Sequence, residues 1–231
     1  MTAIGILGGM GPQASARLHT ILINDAPKHM RIESDTDFPE IVHISASVPN
    51  FIHDKTNLEI TKQMLITRTR LLEDAGCVVN GIACNTAHLL FEDLQAATSV
   101  PFASLPHLVA DRIKKNGHKR VGLLATPNTL SSTLYDDAMS ADVELVRPNE
   151  IVATSLEAMI FRQITGLTTA QDKENLHEIV DTFLRAEKLD VVILGCTELP
   201  LIFDDSENEK IIDTIQVLAE GLLVAYVKCT V

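Results

Sequence analysis

Two short patterns recur along this chain at nearly the same interval, and that recurrence limits the fold more than any other feature. IGILGGMGPQAS begins at Ile4, and VGLLATPNTLSS begins 117 residues later at Val121. Each reads as a strand, a turn of small residues containing a proline, and the start of a helix. GIACNTAH and VILGCTEL share a second pattern: an apolar run, a cysteine, a threonine close behind, and a helix start. Their cysteines, Cys84 and Cys196, stand 112 residues apart. Two different features repeating almost in register imply two similar α/β halves. We expect the first over 1–105 and the second over 106–214, with a C-terminal helix over 215–231 packing back on the first.

The rest of the chain alternates in the same way. Short apolar runs at 3–8, 40–46, 78–84, 102–105, 120–125, 143–146, 190–196 and 210–213 read as strands. Segments 58–75, 87–97, 108–116, 156–164, 175–187 and 215–228 carry apolar residues at helical spacing, as Ile60, Met64, Leu71 and Leu72 do in the first of them. Such alternation predicts two pseudo-symmetric α/β domains, each a mostly parallel sheet flanked by helices. Ligands of open parallel sheets bind beyond the carboxyl ends of the strands. Cys84 and Cys196 fall at such ends, one per half, and the small-residue turns after Leu7 and Leu124 fall at two more. If the halves face each other, the thiols look across one cleft and the active site lies at the domain interface.

Composition narrows the function classes. The formal net charge is −12 and no lysine or arginine run is present, which argues against nucleic acid and anionic membrane as partners. Without tryptophan and with 4% aromatic residues, a base-stacking surface is not expected. The first apolar run, AIGILGGM, lacks the basic flank of a signal peptide, and no stretch reaches the apolar length of a membrane span. The four cysteines form no CxxC pair and no ligand-like spacing with histidine, so a cytoplasmic protein with reduced thiols and no metal is expected.

Each motif has more than one meaning at this level. GGMGPQA (8–14) holds a GxGxxA pattern after a strand. The second strand, however, ends in IVHISASV, without the acidic residue that a dinucleotide fingerprint places on a ribose. Glycines at 9 and 11 and Pro12 at a helix start instead suit either a carboxylate bound on backbone N–H groups or a plain tight turn. Cys84 and Cys196 have three readings: a disulfide, two structural thiols, or an acid and base pair. The last has chemical logic, because a helix start favours thiolate and a thiolate facing a thiol can invert a stereocentre. Asn85, Thr86, Thr126, Asn128, Thr129 and Thr197 could hold ammonium and carboxylate groups or simply cap helices. His88 and Glu198, four and two residues after their cysteines, are candidates for tuning the thiols. The other seven histidines, Cys77 and Cys229 are given no chemical role.

Taken in order, ILGGMGP, CNTAH, LLAT and GCTEL resemble the aspartate/glutamate racemase family over essentially the whole chain. CNTAH with GCTEL is similar to the aspartate racemase branch; the glutamate branch usually carries histidine where this chain has Glu198. The resemblance implies an amino-acid racemase needing neither pyridoxal phosphate nor metal, often a homodimer. It makes Cys84 and Cys196 the catalytic base and acid. Met10, Gly11, Lys55, Asn85, Thr86, Thr126, Thr129 and Thr197 would hold the substrate. The chain departs from the family pattern twice. IHDKT (52–56) puts Lys55 where aspartate racemases carry arginine, which keeps the charge but loses the planar fork. RQITGL puts Ile164 or Thr165 where they carry lysine, with Arg162 nearby as a substitute. A less acidic side chain or broad specificity then stands beside aspartate and glutamate. The alternatives are a thiol enzyme for another small carboxylate (a hydantoin racemase or a cis-trans dicarboxylate isomerase), a non-catalytic binding protein on the same scaffold, and a thiol redox protein.

Overall fold

The structure, a computed structural model, describes residues 2–49, 51, 55–205 and 208–230, with Lys55 described as backbone only. In chain order its elements are β1 (Ala3–Gly8), α1 (Pro12–His29), β2 (Glu40–Ser45), α2 (Leu58–Asp74), β3 (Cys77–Ile82), α3 (Phe91–Gln95), β4 (Phe102–Ala103), α4 (Leu105–Asn116), β5 (Arg120–Leu124), α5 (Pro127–Leu130), β6 (Glu144–Val146), α6 (Glu150–Ile164), α7 (Ala170–Ala186), β7 (Val191–Leu194), α8 (Leu199–Phe203), β8 (Ile211–Asp213) and α9 (Thr214–Thr230). The eight apolar runs read from the sequence coincide with the eight strands. Contacts gather the chain into two compact units, Met1–Leu105 with Ile215–Val231, and Pro106–Thr214.

The first unit holds a parallel sheet in the order β2-β1-β3-β4. β1 is buried along its whole length, which is why it reads as an unbroken apolar run rather than an alternating one. β2 is an edge strand and is only half-buried. α1 starts with Pro12 in its first turn, where the missing N–H is no loss, and ends on Lys28 and His29, whose positions complement the helix dipole. Leu65 and Leu72 of α2 are fully buried against the sheet with Leu7 and Ile82. Each such side chain contributes roughly 1.5–3 kcal/mol on leaving water. Leu222 of α9 lies against Gly81 of β3, and Gln216 of α9 donates to the Asp25 carboxylate of α1 at 2.6 Å.

The second unit repeats the plan, with a parallel sheet in the order β6-β5-β7-β8. Position by position this is the strand order of the first unit. Its core gathers Leu156, Met159 and Ile160 of α6, Leu176 and Val180 of α7, and Leu194 of β7. α6 and α7 form a helical hairpin whose turn ends in a capping box: Asp172 accepts from the Thr169 N–H while Thr169 accepts from Asp172.

The helical reading differs in several places: three helices begin earlier than 108, 156 and 175, at Leu105, Glu150 and Ala170, and α1, read only as a helix start at Pro12, runs to His29. Segment 87–97 is not one helix but a 3-10 turn over Thr86–Leu90 followed by the five residues of α3. The side chain of His88 reaches back to the carbonyl of Cys84, and this local bond holds the chain in the tighter winding. Among the described residues no helix is long and apolar enough to cross a membrane.

Candidate active site

In each unit the two central strands lead off in opposite directions, one to each side of the sheet. The crevice beyond their carboxyl ends is where doubly wound sheets place ligands. In the first unit that point lies between β1 and β3. The ladder runs one residue past β3, with the Ala83 N–H donating to Leu7 O at 3.0 Å, and Cys84 follows. In the second unit the Gly195 N–H donates to Leu124 O at 2.7 Å, and Cys196 follows. Each cysteine is thus the first residue beyond the last rung of its ladder, and the two rungs correspond in the repeat.

The turn after β1 is built for close backbone approach. Gly9 has φ of 95°, and a Cβ there would stand 2.4 Å from the backbone N and O of Ala46. Ser15 of α1 accepts from the Gly9 N–H at 3.1 Å and donates to Pro12 O at 3.0 Å, so the turn is held from the helix side. Met10 and Gly11 are both buried, and Gly11 is the N-cap of α1.

Around Cys84 the structure gathers Asn85, Thr86 and His88, all buried. The Leu105 N–H donates to His88 Nε2 at 3.2 Å, and Nδ1 lies 2.8 Å from Cys84 O. An N–H can only donate, so Nε2 is the acceptor, the proton is on Nδ1, and Nδ1 donates to the carbonyl. Both ring nitrogens are therefore engaged with backbone. His88 braces Cys84 through its main chain, and its ring stacks on Phe91 with centroids 6.0 Å apart.

In the second unit Thr126 is the N-cap of α5. Its Oγ1 accepts from the Thr129 N–H at 3.4 Å, and its hydroxyl donates to Thr129 Oγ1 at 3.1 Å; both are fully buried. The Cys196 thiol donates to Glu198 Oε2 at 2.9 Å, and the Thr197 hydroxyl donates to the same oxygen at 3.0 Å. Glu198 is 2% exposed, so a carboxylate is held out of bulk water against one thiol. Tyr135, missed in the sequence, is also buried here; burial first, and the Cys196 charge second, push its hydroxyl pKa far up, so it stays protonated. Nothing in its local spacing marks it, because the chain reaches the site through an irregular segment after α5.

The helices that follow the thiols are short, the first of them shorter than the segment 87–97 read from the sequence. α3, reached through the 3-10 turn, and α8 have five residues each, so the dipoles aimed at the sulfurs are weak. Cys77 behaves as a structural thiol: burial, with help from Glu40, raises its pKa to about 11. Cys229 is exposed, and among the described residues no disulfide forms.

The basic residues divide differently. Lys55 opens a 3-10 turn over Lys55–Asn57 just before α2, while positions 52–54 of IHDKT lie outside the described residues. Ile164 packs on the core of the second unit, and the Thr165 hydroxyl bonds back to Phe161 O. Arg162 places Nε 3.1 Å from both oxygens of Asp172 and pairs a second nitrogen with the same carboxylate. Its guanidinium is committed to the α6–α7 turn, an engagement the capping-box spacing of Thr169 and Asp172 could have flagged.

A test separates this structural role from substrate binding. The guanidinium, with help from Thr169, holds the Asp172 carboxyl at about 2, below its ordinary 3.8. A depressed acid contributes stability that is present above the unfolded pKa and is lost as pH falls through the folded one, here between about 4 and 2. Arg162→Met strands a buried carboxylate and is expected to cost about 2 kcal/mol, below the full buried-pair value because Arg162 is partly exposed. Chemical denaturation at pH 7 and pH 3 should show the penalty shrinking at the lower pH. An unchanged stability with a lost affinity for acidic substrates would reassign Arg162 to the site.

Among the described residues no group of His, Cys, Asp and Glu side chains gathers as a metal site. A family model described as Asp/Glu/Hydantoin racemase matches residues 7–222. The broad specificity amino-acid racemase RacX of Bacillus subtilis is 26% identical over 228 residues, covering 96% of this chain and 97% of that protein. The crystal structure of an aspartate racemase homologue from Pyrococcus horikoshii superposes with a TM-score of 0.80 at 28% identity, covering 98% of this chain and 100% of that one. The aspartate racemase of Picrophilus torridus gives 0.79 at 26% identity, covering 97% and 94%.

Proposed function

The chain belongs to the Asp/Glu/hydantoin racemase family, and we propose that it inverts the α-carbon of amino acids with Cys84 and Cys196 acting from opposite faces. The observation that carries this is the matched placement of the two cysteines, each one residue beyond the last rung at the switch point of its own sheet. In the proposal the two units close on the substrate, one thiol from each.

The thiolate of one cysteine takes the α-proton onto sulfur, and the electron pair left on Cα spreads into the carboxylate. The opposite thiol then gives its proton to the other face of Cα and is left as thiolate. The enantiomer departs from an enzyme whose cysteines have exchanged protonation states, and the reverse reaction starts from that state. No electrons are gained or lost. The α-proton is very weakly acidic, so the charge moving into the carboxylate has to be met by fixed donors in a dry site. The backbone N–H groups of the turn at Met10 and Gly11 and of Thr126 and Thr197, with groups of Asn85, Thr86 and Thr129, supply them in this proposal. Lys55 supplies a positive charge.

The thiol bond to Glu198 makes Cys196 the proton donor in the form described, and Cys84 the base. Glu198→Gln keeps the size but removes the charge. It is expected to lower kcat about 100-fold and to displace the pH profile, with KM less affected. A variant with the parent kcat and pH profile would leave Glu198 a structural role only.

Aspartate and glutamate are proposed as substrates together with less acidic amino acids. Arg162 is tied to Asp172, and positions 164 and 165 offer no charge, so little in the second unit's α6 end demands an acidic side chain. The broad specificity for which the Bacillus relative is named and the aspartate for which the Picrophilus one is named support this range. Proton NMR in deuterated buffer over a panel of L- and D-amino acids tests it. Loss of the α-proton signal for several side-chain classes is expected. Exchange with none of them would remove the amino-acid assignment and favour another small carboxylate. A thiol pair kept reduced suits the cytoplasm, and a homodimer, implied by the family resemblance, is read directly by sedimentation.

A further inference from the structure

The second unit contains a cavity of about 600 Å³ that is separate from the thiol and its neighbours. It opens between the first turns of α6 and the later turns of α7, at the end of the helical hairpin away from the Arg162–Asp172 clasp. Its floor is apolar: Val152, Ile179 and Phe183 lie there and pack onto the core, with the Phe183 ring over Gly122 of β5. A cavity of this size, with an apolar floor under a polar rim, falls in the range of small-molecule sites.

Of the polar groups around it some are engaged, Asn149 as the acceptor from the Val152 N–H and Asn175 from Gln171, and others are not. Arg147 uses Nε on Leu130 O at 2.9 Å, and one terminal nitrogen on Ser132 O at 3.5 Å and on the Asp136 carboxylate. Among the described residues its other terminal nitrogen, Nη1, has no partner. Among the described residues the Glu178 carboxylate also has none, whereas Glu187 on the same wall is paired with Arg120 at 3.3 Å. The hydroxyls of Ser155 and Thr182 are likewise without partners among the described residues. One cation edge, one unpaired carboxylate and an apolar floor thus share a single cavity.

We propose that this cleft is a second ligand site, which binds a free amino acid with an apolar side chain. Arg147 Nη1 meets the carboxylate, Glu178 meets the ammonium, and Val152, Ile179 and Phe183 receive the side chain. A ligand lacking either charge would leave one pole of the cleft unmatched, which is the basis for choosing a zwitterion over a fatty acid or an amine. The assignment follows from the groups lining the cleft and does not depend on the racemase function. Arg147 also holds the chain at Leu130 and Ser132, immediately after Thr129 and before Tyr135. One guanidinium therefore touches both the ligand and the segment that builds the thiol side of the unit, which makes the site regulatory in position.

Titration calorimetry with L-phenylalanine on the full-length Cys84→Ser/Cys196→Ser double variant, which cannot turn over, counts the sites. Two per chain are expected. Adding Ser155→Phe, which fills the cleft, should remove one, and adding Thr182→Phe, at an exposed position on α7, should do the same if the first substitution disturbs folding. Glu178→Gln should weaken that one site about tenfold and leave the other unchanged. 3-Phenylpropionate and phenethylamine, each lacking one charge, should both bind the cleft more weakly than the zwitterion. A site count that responds to neither cleft-filling substitution overturns the proposal. If instead the thiol site binds no amino acid, a single site is counted and the cleft substitutions abolish it, so the two failures give different results.

Discussion

Cys84→Ser and Cys196→Ser are each expected to lower the rate of inversion by about 1,000-fold or more while leaving the fold intact. The substitution exchanges one small group for another at buried positions, so little packing is lost. What is lost is a group that can carry a proton to or from carbon near neutral pH: serine, with a far higher pKa, does not form the anion there. Positioned acid–base groups contribute about 100- to 10,000-fold each, and inversion needs both faces served in one passage. Enantiomers have equal free energy in water, so kcat/KM must be the same in both directions for the parent and for every variant. A variant is free to split kcat from KM differently in the two directions, but a loss of kcat/KM confined to one direction is thermodynamically forbidden. Polarimetry from both pure enantiomers, with circular dichroism as the control for folding, measures this. Full retention of inversion in either variant would mean that its sulfur does not carry the proton.

Gly9→Ala is expected to cost about 4 kcal/mol, near the top of the range for single substitutions. Two penalties combine. At φ of 95° an L side chain is strained, and the new Cβ would stand 2.4 Å from the backbone N and O of Ala46. Backbone cannot give way as the tip of a side chain can, and Ala46 is itself tied to the first strand by its N–H to Gly8 O at 2.9 Å. The turn that carries Met10 and Gly11 would have to move, so activity should fall more than the stability loss alone explains. Denaturant unfolding reads the first effect, and kcat/KM at a temperature where the variant is still folded reads the second. An alanine variant of parental stability would show that the turn is not as tight as described.

Much of the architecture was legible because the core strands are buried on both faces and announce themselves as continuous apolar runs. The repeat at Ile4 and Val121 was equally plain, and it corresponds to two sheets with one strand order. Local spacing also singled out Cys84 and Cys196, since a strand that stops at a thiol is visible in the sequence. Long-range partnerships were not visible. The engagement of His88 with Leu105 spans 17 residues, and the burial of Tyr135 beside Cys196 spans an irregular segment. The length of the helix after Cys84 was overestimated, because apolar spacing over 87–97 does not reveal that a side chain folds back and tightens the turn. Arg162 looked available for substrate because its charge is obvious and its partner, ten residues away on another helix, is not.

The measurement that bears most directly on the two-thiol account is the fate of hydrogen at Cα during the first turnovers in deuterated water. With separate acid and base groups on opposite faces, the product enantiomer carries solvent deuterium from the start. The recovered substrate enantiomer keeps its original hydrogen, because internal return places the same proton back on the same face. Chiral separation followed by mass spectrometry at low conversion reads both pools. Deuterium in the product alone is the predicted result. Deuterium entering recovered substrate and product at equal rates, or protium transferred into the product, would show that a single group serves both faces and would contradict the paired roles of Cys84 and Cys196.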